Sequence, residues 1–528
     1  MGLILAAFSG LVTALALPNE LFPSGSALLG AVAVVPYFVA LARADSLRAA
    51  SRMGAVYGAA STLGANYWLA FFQDFSVWTL GGTTLGYTLI HAFLAVILGH
   101  FLKQDRLWRP FAVAVAWTAY EYLRSVGFLA YPWGLLAYPP SNILVYVQHV
   151  EITGIWSLSF ISAAANAVLA EPFLPRPVGR TTAFIRQGGL VLLLIVLAVS
   201  FGIWRFANPI PVAGHMKTVL VQPTIDQWRS GQEERSLRRG QELTREAIAA
   251  ADRPPDLVAW SETSLQRPYT QYPTFYRTRP EGDPFIPFLR EIDTPFVTGA
   301  PVVLDEEDWT VVNGAIQLTP SGRLVDYYGK QHLVPMAENI PFWNFPPVQR
   351  FFRNVIGLAG RWAVGTEYTL FEVAVDDPGV ETVRFGAPIC FEDSFGYLAR
   401  GFVYLGADVL VNLTNNAWSR TDSAQIQHFV SARFRAIENR RALARSTNSG
   451  LTAVIDAYGR VTAELPMFES AAVAADVPIY DTEELTIYTR YSDWLGKLMV
   501  AATVGIALVI FVGSTRGRAD GSRTKKHP

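Results

Sequence analysis

Long apolar stretches fill the first part of the chain, and polar positions dominate the second. Seven stretches before Phe206 and one near the carboxyl terminus are almost wholly apolar. Crossing the roughly 30 Å hydrocarbon core takes about 20 apolar residues in a helix, which satisfies its own backbone hydrogen bonds in lipid. The pattern therefore predicts eight membrane-spanning helices, near residues 3–17, 27–42, 53–72, 80–102, 110–126, 151–173, 188–206 and 494–513.

Lysine and arginine occupy every second loop between these stretches, which indicates the orientation. The alternate loops offer only Glu20, Asp74 and Arg124. We therefore expect both termini in the cytoplasm and the segment 209–491 on the opposite side of the membrane. The basic positions are Arg43, Arg48, Arg52, Lys103, Arg106, Arg109, Arg176, Arg180, Arg186, Arg516, Arg518, Arg523, Lys525 and Lys526.

The end of the first stretch offers one alternative. Leu15-Ala16-Leu17 before Pro18 faintly resembles the end of a signal peptide, although no lysine or arginine precedes the apolar run. Cleavage there would leave the side of the large polar segment unchanged.

The polar segment between the seventh and eighth stretches has the alternation of an α/β domain. Several of its β-rich runs end at a small or polar residue followed by a loop, where α/β sheets carry their chemistry. The β-rich runs lie at 218–222, 257–260, 295–298, 409–413 and 451–455, with polar helical stretches such as 236–251 and 423–440 between them. We expect a membrane domain over 1–208, a globular domain over 209–491, an eighth helix over 492–514 and a basic tail over 515–528.

The composition agrees with this division. Of 528 residues, 51 % are hydrophobic and 16 % charged; 7 acidic and 11 basic residues occur up to Phe206, against 69 charged residues in the other 322. The net charge of -1 argues against a nucleic-acid partner. The single cysteine excludes an intramolecular disulfide, and no paired His or Cys cluster or glycine-rich phosphate loop occurs, so we expect no metal and no cofactor.

The only thiol of the chain belongs to Cys390, and Glu262 and Lys330 are the residues that could activate it. Cys390, Glu262 and Lys330 each follow a strand-like apolar run. A carboxylate can take the thiol proton, while an ammonium favours the thiolate and then stabilises an oxyanion. A Cys-His pair with His332 or His428 stays open, and a lone cysteine is often only a small buried apolar residue.

The sequences around these residues resemble the nitrilase superfamily, whose members carry Glu, Lys and Cys in that chain order. The matching segments are Trp260-Ser261-Glu262, Tyr328-Gly329-Lys330-Gln331-His332-Leu333-Val334-Pro335 and Pro388-Ile389-Cys390-Phe391-Glu392. With seven apolar stretches before it and one after, the whole chain resembles the apolipoprotein N-acyltransferase family. Further matches are Glu121-Tyr122-Leu123-Arg124, Tyr131-Pro132-Trp133-Gly134, Thr414-Asn415-Asn416-Ala417-Trp418, Arg445-Ser446-Thr447-Asn448-Ser449-Gly450 and Thr489-Arg490-Tyr491-Ser492-Asp493-Trp494.

The resemblance implies a fold and a reaction. The fold is α/β: a nitrilase-like α-β-β-α sandwich inserted between transmembrane helices seven and eight of an eight-helix membrane bundle. The reaction is a ping-pong transfer of an acyl chain from a membrane phospholipid to the free α-amino group of the N-terminal diacylglyceryl-cysteine of an apolipoprotein. Cys390 would carry the thioacyl intermediate, Glu262 would act as the base and Lys330 would hold the oxyanion.

Further site residues follow from the same resemblance. Glu338 and Glu392 match positions that assist the triad by orienting Lys330 and tuning its charge; the alternative is a structural salt bridge. Trp228 and Trp418 are similar to positions near the active-site entrance, and are equally plausible as core residues. We expect a monomer in the bacterial cytoplasmic (inner) membrane, with the catalytic domain on the periplasmic side.

Three departures from the family pattern leave every titrating group in place. Ser261 precedes the glutamate where proline is common, Met336-Ala337 replaces an aromatic residue and glycine before Glu338, and Phe391 replaces tyrosine.

A loop rich in aromatic residues is the candidate membrane contact. Trp343 lies in Phe342-Trp343-Asn344-Phe345-Pro346-Pro347, which Phe351-Phe352 and Ile356 follow, with Arg350 and Arg353 among them. Aromatic and arginine side chains favour the headgroup level. The alternative is a loop that packs in the core.

Two other functions compete with acyl transfer. A membrane-anchored nitrilase-type amidase would use the same triad with water as the second nucleophile. A transporter would explain the apolar helices, but ionisable residues within them are sparse and mark no pathway.

Overall fold

The computed structural model describes residues 1–71, 76–104, 106–174, 180–226, 231–340, 342–356, 362–419, 421–482 and 484–523. Within these ranges a helical part comes first, a part built on two β-sheets follows, and a last helix, α18 (Trp494–Arg523), ends the chain.

Helices overlap each of the seven apolar stretches predicted before Phe206. Ser26 and Ser46 begin two of these helices, where their side chains accept hydrogen bonds from the free backbone amides of Leu29 and Ala49. The helices are α1 (Gly2–Ala16), α2 (Ala27–Gly30), α3 (Val35–Ala42), α4 (Leu47–Ala65), α5 (Ser76–Leu102), α6 (Arg109–Leu123), α7 (Leu144–Val147), α8 (Val150–Thr153), α9 (Trp156–Ala170) and α10 (Arg180–Ala207).

Three helices of the described chain are long and apolar enough to cross a membrane, judged by length and composition. They are Trp78–Leu102, Thr181–Ala207 and Trp494–Phe511, and Gly2–Ala16 and Ala27–Ala42 are shorter apolar helices. A fourth candidate is the pair Leu144–Thr153 and Trp156–Phe173, bent by 119°.

The bend differs from the single span expected near 151–173. Gly154 lies at the break with a φ of +63°, and its missing side chain leaves room for the ring of Tyr488, which a Cβ atom would meet at 2.7 Å. Glycine adopts this backbone conformation freely, so the chain can turn sharply there.

Two six-stranded sheets form the second part. In the described residues the first sheet has the order β12-β1-β2-β3-β4-β5 and the second the order β11-β10-β9-β8-β7-β6, for strands β1 (Val212–Gln222), β2 (Leu257–Trp260), β3 (Phe296–Asp305), β4 (Thr310–Leu318), β5 (Leu324–Gly329), β6 (Leu370–Asp377), β7 (Val380–Gly386), β8 (Val409–Thr414), β9 (Ala442–Thr447), β10 (Ala453–Ile455), β11 (Val461–Glu464) and β12 (Ala471–Tyr480). The central strands β1, β2 and β3 run parallel, as do β7, β8 and β9.

The sheets stack face to face with helices outside. Leu220 and Val297 of the first sheet share one apolar core with Val411 of the second. Leu237 and Phe288 pack from helices on the outer face of the first sheet. The helices of this part are α11 (Glu233–Ala250), α12 (Pro273–Thr278), α13 (Phe285–Ile292), α14 (Pro346–Phe351), α15 (Gly396–Tyr404), α16 (Asp422–Asn439) and α17 (Ile487–Tyr491). This is the α/β fold with two sheets that the sequence predicted.

Helix α16 lies between the second sheet and the membrane-type helices. Nearly all of its residues are buried, polar ones included. Gln427 donates to the carbonyl oxygens of Pro18 (3.1 Å) and Ala65 (3.0 Å). Arg440, the residue after the helix, is buried and ion-paired with Glu151 of α8. These contacts fix the two parts against each other.

Candidate active site

Glu262 lies just past the end of β2, in a position that a neighbouring glycine makes possible. Gly299 of β3 donates its backbone N–H to the carbonyl of Ser261 (3.2 Å), and a Cβ atom on Gly299 would lie 2.5 Å from the Cα of Glu262. The Glu262 side chain is buried, and its Oε2 accepts the backbone N–H of Asn415 (3.0 Å). Its Oε1 points toward the other site residues.

Lys330 directly follows β5 and is fully buried. Its Nζ donates to Oε1 of Glu262 (2.9 Å) and to Oε1 of Glu338 (2.8 Å). Burial alone would disfavour the ammonium, but the two carboxylates outweigh it and hold the pKa of Lys330 well above its ordinary value. The site therefore contains a permanent cation between two carboxylates.

Asn313 of β4 is a site residue that the sequence did not reveal. Its Nδ2 donates to Oε1 of Glu262 (2.8 Å) and to Oε1 of Glu338 (3.2 Å), so it bridges the same two carboxylates as Lys330. Glu338 also accepts the backbone N–H of Val334 through Oε2 (2.8 Å). Of the two supporting glutamates expected from the sequence, Glu338 thus contacts Lys330 directly.

Cys390 is the first residue of a 3₁₀ helix, Cys390–Ser394. Strand β7 ends at Gly386, and Ile389, the residue before Cys390, forms an isolated parallel bridge with Leu413 of β8. Its φ is +49°, in the left-handed region that residues other than glycine rarely adopt and that clusters at functional sites.

The thiol of Cys390 is buried beside the charged groups. Burial raises its pKa well above the ordinary value, the Glu262 carboxylate raises it further, and the Lys330 ammonium opposes both. The three predicted triad residues therefore lie close enough to act on each other electrostatically.

Glu392 joins the segments that carry Lys330 and Cys390. Its Oε1 accepts the Tyr328 hydroxyl (2.9 Å) and the backbone N–H groups of Gln331 (2.7 Å) and His332 (3.0 Å), while Oε2 accepts the N–H of Ile389 (2.7 Å). Burial raises the pKa of Glu392 to about 7. This carboxylate positions the backbone on both sides of the site.

The two histidines named as possible bases lie near the site. His332 stacks on Phe395 with 3.8 Å between ring centroids, and its Nδ1 lies 2.7 Å from the Tyr397 hydroxyl. Burial and the Lys330 charge lower the pKa of His332 to about 4. His428 of α16 lies with Nε2 3.3 Å from the carbonyl oxygen of Cys390 and 2.7 Å from Oδ1 of Asp393.

An apolar cluster from both parts of the chain covers the cysteine segment. It joins Trp68 and Trp133 of the helical part to Phe391 and Phe395 beside Cys390. Trp418 packs at its edge, 5.8 Å from Trp68 between ring centroids. Trp228 lies outside the described residues.

The predicted membrane-contact loop divides into exposed and buried aromatic residues. Phe342 is 77 % exposed and Phe345 59 %, whereas Trp343 is buried and has the Arg353 guanidinium over its ring at 5.4 Å. Phe351 contacts Trp78 of α5 at 6.3 Å between ring centroids. The loop therefore lies beside an apolar helix and presents two large apolar side chains outward.

The described part of the chain contains no group of three or more His, Cys, Asp or Glu residues that could hold a metal ion.

Matches to solved structures cover about half of the chain. Saccharomyces cerevisiae Nit3, a member of branch 10 of the nitrilase superfamily, matches 51 % of this chain and 91 % of its own, with 19 % identity and a TM-score of 0.35. An amidase from Nesterenkonia sp. matches 51 % and 92 %, with 17 % identity and a TM-score of 0.37.

Family models and relatives cover nearly the whole chain. Residues 9–168 match the apolipoprotein N-acyltransferase N-terminal domain, and residues 217–486 match carbon-nitrogen hydrolase. Apolipoprotein N-acyltransferase 2 of Treponema denticola is 38 % identical over 93 % of this chain and 94 % of its own. Apolipoprotein N-acyltransferase of Borreliella burgdorferi is 31 % identical over 94 % and 93 %. The chain therefore belongs to the apolipoprotein N-acyltransferase family.

Proposed function

We propose that this chain transfers an acyl chain from a membrane phospholipid to the α-amino group of a diacylglyceryl-cysteine at the amino terminus of a lipoprotein. The observation that carries the proposal is the buried thiol of Cys390 beside the Glu262–Lys330 ion pair, under an apolar cover to which the helical part contributes. Family membership supplies the substrate class, and the pocket supplies the chemistry.

The first step forms a thioester. Glu262 takes the proton of the Cys390 thiol as the sulfur attacks the ester carbonyl carbon of the phospholipid. The Lys330 ammonium stabilises the oxyanion of the tetrahedral intermediate. When the intermediate collapses, the carbon–oxygen bond breaks, and Glu262 returns its proton to the leaving lysophospholipid alkoxide.

The second step transfers the acyl group to nitrogen. The free α-amino group of the lipoprotein attacks the thioester carbonyl, and Glu262 accepts the proton that the new amide loses. The carbon–sulfur bond then breaks, and the Cys390 thiol is restored with the proton held by Glu262. The reaction is a ping-pong exchange through one thioacyl intermediate.

Two further carboxylates and an amide support this cycle. Glu338 and Asn313 hold the Lys330–Glu262 pair in one geometry through direct hydrogen bonds. Glu392 fixes the backbone of the Lys330 and Cys390 segments. A base held in place matters here, because burial keeps the Cys390 thiol protonated until substrate arrives.

The site has to touch the bilayer. Each CH₂ of an acyl chain resists leaving lipid by about 0.8 kcal/mol, so a long chain cannot cross much water. The exposed Phe342 and Phe345 side chains would enter the lipid surface, and the aromatic cluster that includes Trp418 would receive the acyl chain. Trp343 would hold the loop from beneath.

We propose eight spans, with the domain 209–491 inserted between the seventh and eighth, on the periplasmic side of a bacterial inner membrane, and the basic tail in the cytoplasm. The support is the alternation of basic loops together with helices at each predicted stretch. Protease added to spheroplasts should cleave this domain, and its protection there would reverse the orientation.

The rival function is amide hydrolysis with water as the second nucleophile. The aromatic cover over the Cys390 segment argues for acyl transfer, because it suits an acyl chain and limits the access of water to the thioester.

Two additions to the purified full-length protein test the proposal. Phospholipid vesicles alone should leave one acyl group on Cys390, seen by intact-protein mass spectrometry and absent from Cys390→Ser. A diacylglyceryl-cysteine peptide added next should remove the acyl group from Cys390 and become acylated with the same group. An unmodified thiol would contradict the covalent step, and free fatty acid as the only product would favour the hydrolase.

A further inference from the structure

His428 lies against the backbone carbonyl of Cys390, and both of its ring nitrogens face oxygen atoms. Nε2 is 3.3 Å from the Cys390 carbonyl oxygen and 2.7 Å from Oδ1 of Asp393. Nδ1 is 3.3 Å from Oδ1 of Asn416. The ring is 2 % exposed, so its partners are protein groups.

The orientation of the Asn416 amide follows from its neighbour. Gln425 donates Nε2 to the backbone carbonyl oxygens of Asn416 (3.2 Å) and Ser419 (3.5 Å), which leaves its Oε1 as the atom that faces Asn416. Oε1 accepts the Asn416 Nδ2 at 2.7 Å. The Asn416 oxygen must therefore be the atom turned toward His428, so that Nδ1 has to carry a proton.

Nε2 has to carry a proton as well. The atom in hydrogen-bond position, the Cys390 carbonyl oxygen, is an acceptor, and an Asp393 carboxylate oxygen lies close by, so an unprotonated nitrogen there would set its lone pair against oxygen. The Asp393 carboxylate also pairs with Arg445 (3.0 Å), which is fully buried. One buried carboxylate thus lies between two cations.

We propose that His428 is a buried imidazolium that positions the nucleophile by holding the Cys390 carbonyl and placing a fixed positive charge behind the thiol. The proposal rests on the proposed role of Cys390. It also gives a reason for the unusual backbone, because the carbonyl that His428 holds belongs to a residue with a φ of +49°. With both nitrogens donating, His428 cannot be the base of a Cys-His pair.

A positive charge on His428 would change the balance of charges around the Cys390 thiol. Among the charged groups with the largest effects on the Cys390 thiol, Glu262, Glu338 and Asp393 are negative and Lys330 is positive. An imidazolium cancels Asp393 at the base of the pocket and leaves the positive charge of Arg445 in excess.

The other charged groups on α16 do not supply this balance. Arg435 and Glu438 pair with each other at 3.1 Å, beyond the next turn of the helix; Arg433 donates to Asn142 of the helical part, and Asp422 is exposed at the start of the helix.

The helical part of the chain covers this histidine. The Trp133 ring meets the His428 ring edge-on, with 5.5 Å between centroids, and meets Phe391 at 5.4 Å. Trp133 belongs to the Tyr131-Pro132-Trp133-Gly134 segment, so a motif of the membrane-type part contacts the positioning group of the active site.

The single cysteine of the chain makes the test direct. The rate of Cys390 alkylation by iodoacetamide, measured against pH in the detergent-solubilised full-length protein, reports on this thiol alone. His428→Gln keeps a neutral N–H donor near the Nε2 position and removes the charge. His149→Gln makes the same change at another buried histidine, in the helical part.

We expect His428→Gln to lower the alkylation rate about tenfold at a given pH and to move its midpoint about one pH unit upward, since one unit corresponds to a tenfold change. His149→Gln should keep the wild-type midpoint. If the substitution only damaged the structure, a smaller fraction of the protein would react at Cys390, and the pH midpoint of the alkylation rate would not move. An unmoved midpoint in folded His428→Gln would overturn the proposal.

Nitrogen NMR of the wild-type protein labelled at histidine covers the case in which the variant does not fold. An exposed histidine loses its extra proton by about pH 8, so a doubly protonated ring that persists there supports the proposal, and its absence overturns it. Both measurements need no acyl substrate. A failure of acyl transfer with an intact alkylation result would therefore refute the proposed function and leave the imidazolium in place.

Discussion

The backbones of Gly299 and Glu262 touch: a Cβ atom on Gly299 would lie 2.5 Å from the Cα of Glu262 and 2.3 Å from the backbone nitrogen of Thr263. The strand that follows β2 in the sheet thus supports the turn that carries the proposed base, and only glycine fits at this place. The position of the carboxylate therefore depends on a residue without any functional group.

Gly299→Ala should displace Glu262 and destabilise the fold. Overpacking against backbone costs about 1–3 kcal/mol, and the base would move away from the thiol. We expect a lower melting temperature and a loss of Cys390 acylation of at least tenfold. Gly505→Ala, in a position of α18 with no atom within 4 Å of the added carbon, is the matched control and should retain acylation.

Asn313→Asp should inactivate the site more than it unfolds the protein. A third carboxylate beside Glu262 and Glu338 would compete for Lys330 and repel both neighbours. We expect the acylation rate to fall about a hundredfold. Gln317→Glu, on the same strand, controls for an added charge. Comparable losses of acylation rate in the two variants would show that Asn313 has no specific role in the site.

Lys330→Met should separate stability from chemistry when it is combined with a second change. Alone it leaves two buried carboxylates without their cation, which costs about 3–5 kcal/mol. Adding Glu338→Gln removes one of these charges and should recover part of the melting temperature. Acylation of Cys390 should stay slow in both variants, and recovery of the rate in the double variant would remove Lys330 from the mechanism.

Glu392 should make stability depend on pH near neutrality. Burial raises its pKa from 4.5 to about 7, so the folded chain binds this proton more tightly than the unfolded chain. The corresponding stability is complete below pH 4.5 and is lost as the pH rises through 7, and it amounts to about 3 kcal/mol.

The measurement is the change in unfolding free energy between pH 5 and pH 8, in wild type and in Glu392→Gln. The variant should be less stable overall, because an amide NH₂ would face groups that donate. It should also show a smaller decline with pH. Glu438, whose pKa burial raises to about 8, titrates in both proteins, so parallel curves would count against the assignment.

Phe342→Ser and Phe345→Ser together should slow acylation from phospholipid vesicles and leave the reactivity of the Cys390 thiol unchanged. Both side chains are exposed on the loop beside α5, where they would enter the bilayer. We expect acylation from vesicles to slow about tenfold and alkylation of Cys390 to stay unchanged. Trp309→Ser removes an aromatic side chain that is 52 % exposed on another hairpin and should have little effect.

The sequence predicted those parts of the site that are local. Strand β2 begins and ends where the apolar run before Glu262 does, and Lys330 directly follows β5. Glu262 and Lys330 could therefore both be placed near strand ends. Asn313 could not be found in this way, because its position depends on strand pairing: Gly314 pairs with Gly329, which brings Asn313 beside Lys330.

Two further features depend on tertiary structure. His428 is one polar residue on a helix whose polar residues are buried as completely as its apolar ones, so periodicity gave no sign of the face that meets Cys390. The bend at Gly154 lies inside an apolar stretch that composition alone makes continuous. Local pattern therefore indicated the residues proposed to react but not those proposed to position them.

Helix α16 makes the catalytic half dependent on its membrane partner. Because the helix is enclosed on one side by the second sheet and on the other by α8 and the carboxyl ends of α1 and α4, separating the halves would expose a buried arginine, the Gln427 amide and several apolar residues to water at once. The nitrilase-like half is consequently not a detachable module, and its expression alone should yield aggregated protein. Substitutions in the membrane-type helices during evolution would have to preserve the contacts of these helices with α16.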